Sequence, residues 1–278
     1  MTLHFGWRDE KGALVRIGDI EILPVLDGTG VEVAAEILSR PGVEDPWSCH
    51  REHVEADGTL RLPLGGFCVR TGDRVVLVDA GVGAFDDGKY VGGGLLDSLA
   101  GHGIGVGDVT DVVFTHLHFD HIGWATHEGD VVFPRAVYRA HRADWEYFVA
   151  GESAQPSAVD KLSPLGPQLE LFDADFTVAP GVDALHVPGH TPGSTVYVVS
   201  SAGRRAILLG DVAHSVVQLS ERDWRVIWDV DPEAASAVRN RFADEVADTE
   251  DLLVAAHFPR MRFGRVVTVG GPRRFVAV

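Results

Sequence analysis

The 278-residue chain is poor in cysteine, with only Cys49 and Cys68. Two thiols cannot make a disulfide framework, which excludes the small cross-linked secreted folds. No apolar run approaches the roughly 18 residues of a membrane-crossing helix, so no membrane partner is expected. Met1 to Val15 carries charges throughout and lacks the apolar stretch of a secretory leader, which makes the cytoplasm the expected compartment. Positive charge is also in short supply: 24 Lys and Arg face 41 Asp and Glu, for a formal net charge of −17. Such a surface repels polyanions, so the expected partner is a small molecule and not a nucleic acid. Repeats, low-complexity tracts and linkers are absent too, and residues 1–278 read as one domain.

What the chain does have is a series of short apolar runs, each stopping at a polar residue. Val75–Val78 ends at Asp79-Ala80-Gly81, and Val112–Phe114 at Thr115-His116. Ala184–Val187 runs into Pro188-Gly189-His190, Ala206–Leu209 stops at Gly210-Asp211, and Leu252–Ala256 stops at His257. Runs of this length bounded by Gly or Pro read as strands buried on both faces. Strands of that kind need covering layers, hence an α/β sandwich with outer helices. Four of the five deliver a metal-ligating residue type just past the strand end, where α/β architectures build their sites.

Around these runs the scaffold is partly readable. Ile20–Leu26 and Phe67–Arg70 are predicted strands, the second turning through Thr71-Gly72-Asp73 into Val75–Val78. Leu95–His102 is a short helix closed by Gly103, and His141–Val149 is helical with Trp145 and Phe148 on one side. Asp231 is an N-cap with Pro232 at the first helical position, opening a helix to about Val246. Val31–Pro63 and Gly151–Pro167 read as long loops of the lid or binding-loop kind.

The chemistry concentrates in Thr115-His116-Leu117-His118-Phe119-Asp120-His121. On an extended segment residues two apart point the same way, so His116 and His118 can grip one ion. Asp120 and His121 are adjacent, which requires a turn there, and Gly123 suits one. His190 sits in a Pro/Gly turn, Asp211 can offer one oxygen to each of two ions, and His257 completes the set. Five imidazoles and two carboxylates are too many for one tetrahedral zinc and suit two divalent ions with places left for water. Zinc is the expected ion, and the same nitrogen and oxygen donors admit Mn, Fe or Co.

These motifs resemble the metallo-β-lactamase fold superfamily. Asp79 in Val78-Asp79-Ala80-Gly81, the His116–His121 motif, Gly189-His190, Gly210-Asp211 and Ala256-His257 occur in that family's order. The resemblance implies a four-layer αββα sandwich with a dimetal site at one edge. It also implies roles: His116, His118 and His190 on the first metal, Asp120, His121 and His257 on the second, Asp211 bridging, and Asp79 orienting the ligand loops by hydrogen bonds. True β-lactamases usually lack the bridging Asp, and flavodiiron proteins carry Glu where His118 stands. The RNA-processing nucleases carry a large insertion or extra arm, for which the 45 residues between Asp211 and His257 leave no room. The arrangement is most similar to the N-acyl-homoserine lactonases and related lactone, ester and organophosphate hydrolases.

The resemblance therefore implies hydrolysis of a lactone or carboxylic ester by a hydroxide held between the metals, with Asp120 orienting it and taking its proton. One departure falls at His214, where the lactonases commonly have a Tyr that hydrogen-bonds the substrate carbonyl; His214 is expected to donate there or to stand at the rim. A glyoxalase-II-like thioesterase shares the ligand set, and Arg260, Arg262, Arg265, Arg273 and Arg274 keep it in play. A non-enzymatic alternative is a metal-binding structural or sensor protein, against which the surplus of ligands speaks, and a nuclease is the third choice. His50 and His53, near Cys49, read as an exposed loop ahead of an extra metal clip. His186 reads as a core histidine, and Trp224 and Trp228 as core packing or a pocket wall. The loop tryptophans Trp47 and Trp145 admit a homodimer.

Overall fold

Strand alternation sorts the apolar side chains of the first sheet into two cores. In the computed structural model, which describes residues 13–268 and 270–278, Ile22, Phe67, Val69, Val76, Val78 and Val113 face a second sheet. Their chain neighbours Leu23, Cys68, Leu77, Val112 and Phe114 face the helices at Leu95–Gly101 and Pro156–Leu162 instead. A period of two, with both faces apolar, is what a sheet buried between layers requires.

Among the described residues the first sheet has eight strands and the second seven. In the first, Val15–Ile17, Ile20–Val33, Thr59–Thr71 and Arg74–Val78 run antiparallel, and Asp111–Val113, Val137–His141 and Leu169–Phe172 continue it in parallel. In the second, Phe176–Ala179, Val182–His186, Thr195–Ser201 and Arg204–Leu208 run antiparallel. Leu252–Val254 joins in parallel, followed by Gly264–Thr268 and Arg273–Ala277. The Pro232–Glu245 helix packs Phe242 and Ala243 onto the second sheet's core, which completes a four-layer α/β sandwich. Asp231 caps that helix as expected, accepting from the backbone N–H groups of Glu233 and Ala234.

All five apolar runs are strands, and the helices at Leu95 and Pro232 lie where the sequence predicts. The His141–Val149 segment starts as an α-turn and widens into a π-turn over Glu146–Ala150, with Phe148 buried. Both predicted long loops need correction. The 31–63 segment is the outer part of two long paired strands, Ile20–Val33 and Thr59–Thr71, joined by an excursion with a short helix at Ala34–Ile37 and a strand at Leu38–Ser39. That excursion has a small core of its own, where Trp47 packs on Trp224 at 5.0 Å between ring centres, with Ile37, Leu60, Leu62 and Val217. Trp47 is therefore buried, and the argument from it to a homodimer falls away. Residues 151–167 fold into the Pro156–Leu162 helix and a 3₁₀ turn, burying Ala158, Leu162 and Leu165.

Among the described residues no helix is long and apolar enough to cross a membrane. The expectation that no leader precedes the fold rests largely on residues 1–12, which lie outside the described residues. The two cysteines are far from equivalent: Cys49 is exposed, whereas burial pushes the Cys68 thiol up to about 12. A thiol reagent at mildly alkaline pH should modify Cys49 in the native chain and reach Cys68 only after denaturant is added; equal labelling of both in native protein would contradict this packing.

Candidate metal centre

The ligand-type residues leave strand ends of both sheets and meet at one edge of the sandwich. His116 and His118 follow the Asp111–Val113 strand, and Asp120 and His121 lie in the helical turn Phe119–Ile122. That turn packs so closely on the neighbouring loop that a Cβ on Gly123 would stand 1.9 Å from the Val82 carbonyl carbon. Asp211 follows Arg204–Leu208 through Gly210, whose φ of +53° and approach to Thr115 bring the two sheets' loops together. His190 and His257 arrive from the second sheet.

The donors form two sets with Asp211 between them. His116 Nε2 lies 2.9 Å from His118 Nδ1, and His190 Nε2 lies 3.1 Å from the same atom. Asp211 Oδ2 stands 3.7 Å from His116 Nε2 and 3.6 Å from His190 Nε2. On the other side, Asp211 Oδ1 is 3.4 Å from His121 Nε2 and 3.3 Å from His257 Nε2. Asp120 Oδ2 closes the second set at 3.8 Å from His121 Nε2 and 3.6 Å from His257 Nε2. Nitrogens on a tetrahedral zinc stand about 3.3 Å apart, from bonds of roughly 2.0 Å, so both sets have the spacing of ligands around an ion. The two groups, His116–His118–His190–Asp211 and Asp120–His121–His257, are each able to hold one.

Outer partners fix which ring nitrogen faces inward. His121 Nδ1 donates to Asp79 Oδ2 at 2.9 Å, His190 Nδ1 to Asp229 Oδ1 at 3.0 Å, and His257 Nδ1 to the Pro63 carbonyl at 2.9 Å. Thr115 Oγ1 donates to Asp79 Oδ2 and so accepts from His116 Nδ1 at 3.1 Å. Each arrangement leaves the Nε2 lone pair pointing at the centre, the form a metal needs. His121 Nε2 and Asp211 Oδ1 are buried without a hydrogen-bond partner, as donors awaiting a cation would be.

The electrostatics point the same way. Burial, followed by the neighbouring imidazoles His121 and His118, holds His116 well below its ordinary value. Burial also acts to lower His121, but Asp211, Asp79 and Asp120 outweigh it and hold that imidazole well above its ordinary value. Burial would raise Asp211, yet His257, His214, His121 and His116 keep its carboxyl well below the carboxylate range. Buried anions packed this closely call for positive charge.

All seven predicted ligands are brought together. His214 is placed deeper than a rim residue: its side chain is fully buried, Nε2 lies 3.1 Å from Asp211 Oδ2, and the ring stacks 5.5 Å from His257. His186 is half-buried, donates from Nε2 to the Pro192 carbonyl and stacks on His141 at 3.9 Å. Trp224 is core, while Trp228 lies 5.4 Å from the His214 ring. Sequence reasoning missed three supports. Asp229 orients His190 and is held by Arg239, whose guanidinium also donates to the Val212 and Trp224 carbonyls. Buried Asp144 accepts from Leu117 N, Thr191 Oγ1 and Gly193 N, tying the His116–His118 loop to the His190 loop. Burial pushes its carboxyl up to about 6. Asp27 accepts from Val82, Gly83, Gly93 and Leu95 N–H groups and from Trp124 Nε1. The only sequence signal for any of them is an acidic residue next to a Trp or Gly, which is too common to single out.

Beside the centre lies a cleft of about 400 Å³, with His214 and His257 in one wall and Glu52, His53, Leu60, Arg61 and Arg260 among the rest. The 31–63 segment supplies much of that wall, as a binding loop should. None of the lining residues comes from 151–167, whose helix instead backs the Phe119–Ile122 turn.

Comparison with known proteins agrees with this geometry. The profile of the Metallo-beta-lactamase superfamily matches residues 67–257. Human metallo-beta-lactamase domain-containing protein 1 is 30% identical over 241 residues, covering 85% of this chain and 77% of its own. An N-acyl homoserine lactonase of a Bacillus species is 27% identical over 187 residues, covering 58% of this chain and 70% of its own. Among solved structures, the dizinc quorum-quenching lactonase AidC superposes with a TM-score of 0.86 at 24% identity, over 96% of this chain and 97% of that one. The hydrolase AbOPH superposes at 0.84 and 21% identity, over 96% and 98%. The chain belongs to the metallo-beta-lactamase superfamily. Its superfamily and its lactonase relatives place it among metal-dependent hydrolases.

If Asp229 acts by aiming His190, then Asp229→Asn should weaken metal retention about 10- to 100-fold, with some loss of stability from the buried Arg239 it leaves without a carboxylate. Competition with a chromophoric chelator measures this, and unchanged retention would remove Asp229 from the site.

Proposed function

We propose that this chain is a dinuclear-metal hydrolase that opens lactones or cleaves carboxylic esters, with zinc as its ion. The observation that carries the reading is Asp211, whose two carboxylate oxygens face two separate donor sets beside a cleft that His257 lines. His116, His118 and His190 would hold one ion, Asp120, His121 and His257 the other, and Asp211 both. When bound, such ions supply Lewis acidity and lower the pKa of water to about 7. Asp120 keeps one edge of its carboxylate toward the second set and some exposure to solvent, which suits it to orient the attacking water and take its proton. His214 is buried beside Asp211, with Nε2 3.1 Å from Asp211 Oδ2, and lines the cleft. It would donate to the substrate carbonyl or to the departing alkoxide, in place of a tyrosine.

Because the ligands come from loops of both sheets, we take residues 1–278 as one domain. The reading is of a cytoplasmic protein acting on small molecules, since a net charge of −17 disfavours polyanions. A thioesterase for glutathione conjugates is the weaker alternative. Of the C-terminal arginines only Arg260 lines the cleft; Arg265 pairs with Glu250, Arg273 with Asp244, and Arg262 turns to the Val278 carbonyl.

Purified protein should carry about two zinc ions per chain by elemental analysis, the count expected for a two-metal site. It should hydrolyse members of a lactone and ester panel, and lose that activity on chelation. Faster turnover of S-lactoylglutathione than of any lactone or ester would favour the thioesterase, and a metal-free chain after reconstitution would defeat the proposal. His214→Phe should lower kcat by about 10²-fold, the range of a lost transition-state donor, with metal content unchanged. Kinetics equal to wild type would eliminate that role.

A further inference from the structure

One cluster of donors plays no part in the centre described above. On the 31–63 excursion, His50, Glu52 and His53 each offer a donor atom, and all three atoms lie within 4.8 Å of one another. The backbone explains the convergence. Arg51–His53 forms a 3₁₀ turn with His50 at its N-terminus, and residues three apart eclipse in such a turn. The two imidazoles accordingly face each other at 6.3 Å with their planes 30° apart.

The surroundings are those of an oriented ligand rather than a loose surface ring. His50 Nε2 donates to Glu221 Oε2 at 3.1 Å. That carboxylate oxygen is itself fixed by Arg40 Nη1 at 2.9 Å and Trp224 Nε1 at 3.3 Å. With Nε2 engaged, Nδ1 carries the lone pair, and a carboxylate behind an imidazole is the usual outer partner of a metal-binding histidine. The His50 side chain is only 13% exposed and packs edge-on to the Trp224 ring at 5.9 Å, so its position is set before any ion arrives. The sequence reading of His50 and His53 as an ordinary exposed loop does not describe this arrangement. Cys49, its neighbour, is exposed and outside the group.

We propose that His50, Glu52 and His53 form an accessory site for one divalent cation at the mouth of the cleft, separate from the ions of the central site. Two imidazoles and one carboxylate select zinc, cobalt(II), nickel(II) or copper(II) over magnesium or calcium, which prefer all-oxygen shells. Three protein donors leave a place for water, as open sites do. Glu52 and His53 line the same cleft as His214 and His257, so that place opens toward entering molecules. A carboxylate or carbonyl oxygen on such a molecule can displace the water, which would make the ion a handle for substrate at a distance from the reacting bond.

The test counts zinc after equilibrium dialysis against micromolar free zinc, in wild type and in His50→Ala, His53→Ala and Glu52→Gln. Each folded variant should hold one ion fewer per chain than wild type. Equal counts in wild type and variants overturn the proposal. Glu52 is exposed, so Glu52→Gln keeps the test decisive even if His50→Ala disturbs the Trp224 contact. The difference between wild type and variants reports this site alone, whereas the wild-type total reports the central one, so either can fail without the other. Cobalt(II) titration gives a second readout: wild type should show a further class of absorbing sites that the variants lack, and superimposable titrations again overturn the proposal.

Discussion

The structure turns on the burial of one carboxylate. Asp211 is almost fully shielded, with each of its oxygens aimed at a different set of imidazoles. An ionised carboxylate in such a place is tolerated only where positive charge or hydrogen bonds answer it. The five ligand histidines and His214 surround it, with inward nitrogens set to hold the cations that would answer that charge, and they come from loops that are distant in sequence. Two sheets must therefore end at the same edge. The left-handed Gly210 against Thr115, and the glycine contact between Gly123 and Val82, allow the loops to close to backbone distance there.

The ligands are held by a second ring of buried anions, each with its own donors. Asp79 serves Thr115 and His121, Asp229 serves His190, and Asp144 ties two ligand loops through backbone groups. Asp79 adopts a φ of +63°, which an aspartate tolerates better than most residues and which is kept where its carboxylate has this work. Arg239, buried and bonded to Asp229 and two carbonyls, neutralises one of these groups. The net effect is a set of imidazoles whose inward nitrogens are decided by partners outside the centre.

Much of this was legible in the sequence because it is local or periodic. Apolar runs buried on both faces announce themselves as runs, and the His116–His121 motif is six residues long. The layers followed, since such strands need cover on both sides. The supports were not legible, for physical reasons. Asp144 sits in the middle of a helical stretch, and Asp229 precedes a helix cap by two residues, so each has an ordinary local explanation. Pro63 acts through its carbonyl, which no side-chain pattern reveals. The 31–63 stretch was misread because its prolines and Trp47 mask the alternation of Leu60, Leu62 and Leu64. Its small core forms only by docking on residues 217–226, a contact made far along the chain.

That separate core has a consequence for specificity. The metal-binding groups rest on the two main sheets, whereas the opposite wall of the cleft rests on Trp47, Trp224 and their neighbours. A change in the excursion's core can reshape the wall while the ligands stay at the strand ends of the two main sheets, where His257 meets the 31–63 segment through the Pro63 carbonyl. The seam between the two regions is His214. Gln218 Oε1 accepts from the backbone N–H of His214 and of Ser215, and Val217, one residue before Gln218, packs in the excursion's core. His214, which like His257 touches Asp211 and lines the cleft, is thus anchored beside the excursion's core, so altering that core bears on the chemistry through the placement of its imidazole.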